Sequence, residues 1–99
     1  MTKKAEKMVA TYTEKMELHT SFFCNRIEEY KETGRLDKEY NFTKEIIKDI
    51  KTEFVDMIRG MCRFGMLSEK DFSELYTKSY GICHEILEKI IDAYIEAKY

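Results

Sequence analysis

The sequence contains no proline and only four glycines. Proline removes a backbone donor and breaks helices, and glycine weakens them, so a chain almost free of both favours long helices. Lys, Glu, Ile and Met are frequent instead, as in many helical proteins. The composition therefore predicts an all-α protein, and a length of 99 residues predicts one domain.

The sequence also lacks any long apolar run and any excess of one charge. No run approaches the ~18 apolar residues of a membrane span, and the N-terminal residues lack the apolar core of a signal peptide. With 36% charged residues and a net charge of −2, neither a basic nucleic-acid tail nor an acidic tail is indicated. We expect a cytoplasmic protein with no membrane partner, and the excess of Lys over Arg is typical of an AT-rich bacterial or phage genome.

Cysteine is scarce and irregularly spaced. The three residues, Cys24, Cys62 and Cys83, form no CxxC motif and no disulfide framework, which favours reduced thiols. Cys83 and His84 are adjacent, so on a helix their side chains diverge by about 100°, and Cys24 lies five residues from His19. No nucleophile–base pair, phosphate-binding loop or cofactor motif follows, so we predict no catalytic residue, no cofactor and no small-molecule substrate.

Apolar residues recur at steps of three and four over three stretches, which predicts helices at about 3–33, 42–64 and 69–98. Short connections then predict an up-down-up antiparallel bundle of three long helices. Met57 falls on the core stripe of the second helix. Gly81 lies inside the third helix, where a close helix crossing or a slight bend would explain it.

The residues between the second and third helices form the clearest local signal. Gly65 can adopt the left-handed conformation that ends a helix. Ser68 is a preferred N-cap, and Asp71 occupies the third helical position of a near-match capping box. Leu67 and Phe72 are spaced as a hydrophobic staple. This stretch predicts a tight joint, although it carries no information about function.

The third helix is apolar over a wider arc than one neighbouring face requires. We expect the additional residues to bind a second copy of the chain or another protein, since exposed apolar patches mark interfaces. This predicted partner-binding surface consists of Tyr80, Leu87, Ile91 and Ile95. The alternative is that the same residues cover the connection formed by residues 35–41.

A second surface is suggested by basic residues of the second helix, which share one side at helical spacing. Such a stripe can lie along phosphates, so nucleic-acid binding is the alternative function. Acids at Glu45, Asp49 and Asp56 are expected on the adjacent side, leaving the stripe free of them. Ordinary solvated i,i+4 pairs are the competing interpretation. The stripe consists of Lys44, Lys48, Lys51, Arg59 and Arg63.

A metal site is the third hypothesis considered. His19, His84 and Glu53 fall at similar heights of the predicted bundle, but neither histidine follows a Glu by three residues as in di-iron bundles. We therefore predict no metal. The sequence leads to a non-catalytic interaction module, a small adaptor, inhibitor or regulator of phage or plasmid origin that acts through a helical face and forms a homodimer.

Overall fold

The computed structural model describes residues 2–99, which form an all-α bundle as predicted. It contains four helices: α1 (Lys3–Asn25), α2 (Ile27–Glu32), α3 (Leu36–Arg63) and α4 (Glu69–Lys98). The three long helices all pack against one another, and α2 caps one end of the bundle. The molecule measures 51 × 18 × 16 Å. Within residues 2–99, no helix is both long and apolar enough to span a bilayer.

The first predicted helix is interrupted at Arg26, which separates α1 from α2. The Arg26 N–H donates to the Phe23 carbonyl at 3.1 Å, one residue short of the normal α-helical partner. The carbonyl of Phe22 instead accepts the Arg26 guanidinium at 3.2 Å, and that group stacks 3.6 Å from the Phe22 ring centroid. A continuous helix over residues 3–33 was therefore wrong in detail, because a side chain replaces a backbone donor at this turn.

Helix α3 begins at Leu36, six residues before the predicted start near residue 42. No side chain caps it. The preceding turn is closed by Gly34 at φ 70°, with the Arg35 N–H donating to the Tyr30 carbonyl at 2.8 Å. This backbone arrangement ends α2 as a Schellman motif and leads directly into α3. Asp37 and Glu39 lie in the first turn of α3, where their negative charge interacts favourably with the positive end of the helix dipole.

The joint between α3 and α4 follows the prediction. Gly65 has φ 74°, and the Met66 N–H donates to the Met61 carbonyl at 2.8 Å, which is again a Schellman motif. The Ser68 hydroxyl oxygen accepts the Asp71 N–H at 3.0 Å, so α4 starts at Glu69. Leu67 is buried in the core. The joint thereby fixes the register of α3 against α4.

The core runs the length of the bundle and is filled mainly by the predicted stripes. The ring centroids of Tyr12 and Phe54 are 4.5 Å apart, and those of Phe23 and Tyr40 are 6.4 Å apart. These two pairs show that α1 and α3 are antiparallel. Met57 is an exception to the predicted core stripe, since it is 47% exposed. The largest fully buried apolar side chains are Met16, Phe23, Ile47, Ile58, Leu75 and Ile90.

Candidate protein-binding surface

The four predicted partner-binding residues, called the α4 edge from here on, lie on one side of α4 but differ in exposure. Tyr80 and Ile95 are 44% and 48% exposed, whereas Leu87 and Ile91 are half-buried. Leu87 also packs against the core. The α4 edge is therefore a shallow apolar ridge whose two ends project furthest into solvent.

Residues other than the α4 edge cover the connection after α2. The Tyr94 ring stacks on the Tyr40 ring with centroids 3.8 Å apart. The Tyr94 hydroxyl donates to Asp37, and the Lys98 ammonium donates to the same carboxylate at 3.1 Å. The hydrogen bond from Tyr94, and then that from Lys98, lowers the pKa of the Asp37 carboxyl. Tyr94 and Lys98 therefore hold the start of α3 against the end of α4, while Ile95 beside them is exposed.

The basic stripe of α3 borders the α4 edge. The Lys51 Nζ lies 4.5 Å from the centroid of the exposed Tyr80 ring, which joins the two predicted surfaces. The stripe is not free of acids, however, and that expectation was wrong. Lys48 pairs with Glu45 and Arg59 pairs with Asp56, each across one helical turn at 3.8 Å. Acids on the adjacent side of α3 reach around to two of the five cations.

Two tyrosines at the end of this border interact directly. The Tyr76 and Tyr80 ring centroids are 4.7 Å apart. The hydrogen bond with Tyr80 is the main cause that raises the pKa of Tyr76, while the nearby Arg59 and Lys51 oppose the rise. These rings form an aromatic surface beside cations, although most Tyr and Phe residues of the sequence fall on core stripes. It arises because Tyr80 lies outside the core stripe of α4.

An acidic stripe lies on the other side of the α4 edge. Glu88, Asp92 and Glu96 follow one another at steps of four and are all exposed. At 100° per residue they lie beyond Ile91 and Ile95 on the side away from α3. His84 contacts Glu88 at 3.0 Å between Nε2 and Oε1. The α4 edge has cations of α3 on one side and acids of α4 on the other. Because α3 and α4 are antiparallel, with Tyr40 stacked on Tyr94, the two stripes share the same height of the bundle only near Lys44 and Glu88.

Large apolar side chains are also exposed where α1 meets α3. Leu18 and Phe22 on α1 and Phe42 on α3 are each more than half exposed. Leu18 and Phe22 follow Lys15 at helical spacing, and Phe42 shares the side of Glu53. Lys15 and Glu53 approach to 4.0 Å across the two helices. Their exposure depends on how α1 packs against α3, which helical spacing alone does not reveal.

Two residues of the metal hypothesis, His84 and Glu53, face different neighbours. His84 faces Glu88 on its own helix, while Glu53 faces Lys15 on α1, so the metal hypothesis does not bring its residues together. No three His, Cys, Asp or Glu side chains in residues 2–99 are grouped as a metal site would require.

The three cysteines are present as thiols. Cys83 is buried, and Cys24 and Cys62 are half-buried. Burial raises the pKa of the Cys24 and Cys83 thiols, which disfavours the reactive thiolate, although Lys51 and Lys48 partly oppose this at Cys83. Both residues therefore have the environment of small apolar side chains in a core.

The α4 edge is defined by its geometry. Comparison of the chain with protein-family models, with curated proteins and with solved structures found no match.

Proposed function

We propose that the chain is a non-catalytic protein-binding module that docks through the α4 edge, and that its first partner is a second copy of itself. One observation carries the proposal. Tyr80 and Ile95, at the two ends of the apolar α4 edge, are 44% and 48% exposed. An exposed apolar ridge can pack against the same ridge of a second copy, as an isologous interface requires.

One ion pair favours a particular orientation of the dimer. A two-fold axis that lies in the interface and runs along α4 keeps each residue at its own height, so it places Lys44 opposite the partner's Glu88. The proposed dimer therefore has parallel α4 helices, with Ile91 and Ile95 near the axis. Regulation or inhibition of another protein would use the same apolar edge.

Solution mass from light scattering tests this proposal. We expect the wild type to be a dimer and Ile95→Asp to be a folded monomer, because a carboxylate on the apolar α4 edge would be buried in the interface without a partner. Leu18→Asp is the matched control: it adds the same charge at an exposed apolar position of α1, and it should remain dimeric. Circular dichroism on all three proteins establishes that the helices persist.

Two results would contradict the proposal. A wild type that is monomeric at all concentrations removes the second copy as partner. A dimer that survives Ile95→Asp but dissociates with Leu18→Asp assigns the interface to the side where α1 meets α3. The orientation has its own test: Lys44→Glu should weaken the dimer, and the added change Glu88→Lys should restore it.

Nucleic-acid binding is the second candidate, supported by the contact between Lys51 and the exposed Tyr80 ring. Cations beside an aromatic ring suit single-stranded nucleic acid, whose bases stack while the phosphates are neutralised. Changing Lys51, Arg59 and Arg63 to Glu should abolish oligonucleotide binding and its salt dependence. Binding that is absent in the wild type at low salt would eliminate this candidate and leave the protein-binding proposal intact.

A further inference from the structure

A groove between α1 and α3, separate from the α4 edge, has the size of a small-ligand site. Its volume is about 450 Å³, within the ~300–1,000 Å³ typical of ligand pockets. It lies towards the N-terminal end of α1 and the C-terminal half of α3. Its floor is apolar and is formed by Met8, Tyr12, Ile50, Phe54 and Met57.

The floor combines fixed and adaptable side chains. Tyr12 and Phe54 are both buried, and their ring centroids are 4.5 Å apart, so they form a stable apolar base. Met57 is nearly half exposed and Met8 is half-buried. Methionine side chains are flexible and polarisable, and they can close over an apolar chain of variable shape.

The rim of the groove is positively charged along α1. Lys4, Lys7 and Lys15 line it, and Glu53 lines the opposite wall on α3. Lys15 is 4.0 Å from Glu53, which closes one end of the groove with an ion pair. Among residues 2–99, Lys4 and Lys7 have no ion-pair partner. The open end of the groove therefore presents two unneutralised cations above an apolar floor.

We propose that this groove binds a free single-chain alkyl carboxylate, with the carboxylate at Lys4 and Lys7 and the alkyl chain on the floor. The apolar base requires an apolar ligand body, and the two lysines require a negative group at one end. The volume of about 450 Å³ suits one alkyl chain. An alkyl cation would place its charge against the same lysines and is disfavoured.

A tryptophan reporter tests the site directly. The chain contains no tryptophan, so Met57→Trp introduces a single fluorophore at the edge of the groove. Titration with dodecanoate below its micelle concentration should give a saturable blue shift. Dodecyltrimethylammonium, which has the same chain length and the opposite charge, should bind at least about tenfold more weakly. Tyr99→Trp, at the exposed C-terminus, should show no saturable shift.

A charge-matched pair of variants tests the role of the lysines. Lys4→Gln/Lys7→Gln should weaken dodecanoate binding at least about tenfold, since both cations near the carboxylate are lost. Lys38→Gln/Lys70→Gln removes the same total charge at exposed positions away from the groove and should bind as the wild type does. Calorimetry on these variants needs no reporter, so the test stands even if Met57→Trp does not fold.

The proposal is overturned by any of three results: no saturable binding of dodecanoate to the wild type, equal affinity for the alkyl cation and the alkyl carboxylate, or equal loss in the two double-lysine variants. Equal affinity for both surfactants would identify the groove as a general apolar surface. None of these results bears on dimerisation, because Ile95→Asp and the lysine changes lie on different sides of the bundle.

Discussion

Tyr12 links the packing of the core to alkaline pH. It is 3% exposed, and its hydroxyl donates to the Ser79 carbonyl on α4 at 3.0 Å. Ser79 is itself buried, and its hydroxyl donates to the Tyr76 carbonyl at 2.8 Å. Burial is the main cause that raises the pKa of Tyr12, with smaller contributions from Cys83 and Tyr80. The phenol must therefore remain neutral for α1 and α4 to stay packed.

The raised pKa of Tyr12 gives stability a defined alkaline limit. The unfolded chain ionises Tyr12 near its ordinary pKa of about 10, whereas the folded chain does so only at higher pH. The contribution of Tyr12 is therefore complete below pH ~10 and is lost as pH rises further. We expect Tyr12→Phe to lower the free energy of unfolding by about 1 kcal/mol at neutral pH, through loss of one hydrogen bond.

The pH dependence separates this effect from simple loss of packing. Urea unfolding of wild type and Tyr12→Phe should converge as the pH rises from 9 to 11, because only the wild type loses stability by ionising residue 12. Tyr99→Phe is the control. Because Tyr99 is exposed at the C-terminus, this variant should have the same free energy of unfolding as the wild type at each pH. Parallel curves for wild type and Tyr12→Phe over this range would be incompatible with the proposed limit.

Among the elements, the glycines of α4 and of the preceding joint have opposite roles. Gly65 has φ 74°, where a residue with a Cβ is strained even though the space around it is open. Gly81 lies inside α4, is exposed, and has no atom within 4 Å of the position its Cβ would occupy. The close helix crossing expected at Gly81 was therefore wrong. Gly81 weakens α4 without making a packing contact.

Alanine substitution should separate these two roles. Gly81→Ala should stabilise the protein by about 0.5–1 kcal/mol, because alanine restricts the unfolded chain and fits a helix interior. Gly65→Ala should destabilise it by roughly 1–2 kcal/mol through left-handed strain. Thermal unfolding of the two variants provides the measurement, with each serving as the other's control. A loss of stability in Gly81→Ala would indicate that the glycine serves a contact outside this chain.

The element boundaries show where sequence was informative. The start of α4 followed from Ser68, whose side chain makes the cap itself. The start of α3 was missed because a backbone turn at Gly34 replaces the side-chain cap. The break at Arg26 was missed because neither glycine nor proline marks it. An arginine is common inside helices, so its presence does not indicate a break. A helix start that a side-chain cap defines can therefore be predicted from the sequence. A helix start that only backbone hydrogen bonds define is harder to predict.

The candidate surfaces show the same limit one level higher. At helical spacing, the predicted partner-binding residues Tyr80, Leu87, Ile91 and Ile95 share one side of α4. It did not reveal that Lys51 would meet Tyr80, since this depends on the rotation of α3 against α4. Met57 was assigned to the core because the spacing does not show how α3 is rotated against α1, and in the structure it borders an open groove. Periodicity defines a face of one helix, and the packing of several helices decides what that face meets.

As a whole, the molecule is long and thin. Its radius of gyration is 15.7 Å, compared with about 13 Å expected for a compact domain of 100 residues. A rod of this kind has more surface for its volume than a sphere. That geometry explains why apolar residues such as Leu18, Phe42 and Ile95 stay exposed despite the abundance of apolar side chains.

The 51 Å length has a consequence for how the protein opens. Because the bundle is long and thin, its core side chains form successive layers along the axis. Each layer is therefore stabilised mainly by the layers directly above and below it. Either end can therefore separate while the centre stays closed. We expect native-state hydrogen exchange to be slowest for amides near Met16, Ile50 and Cys83 and progressively faster towards both ends. Equal protection of all core amides would instead require the bundle to open in one step.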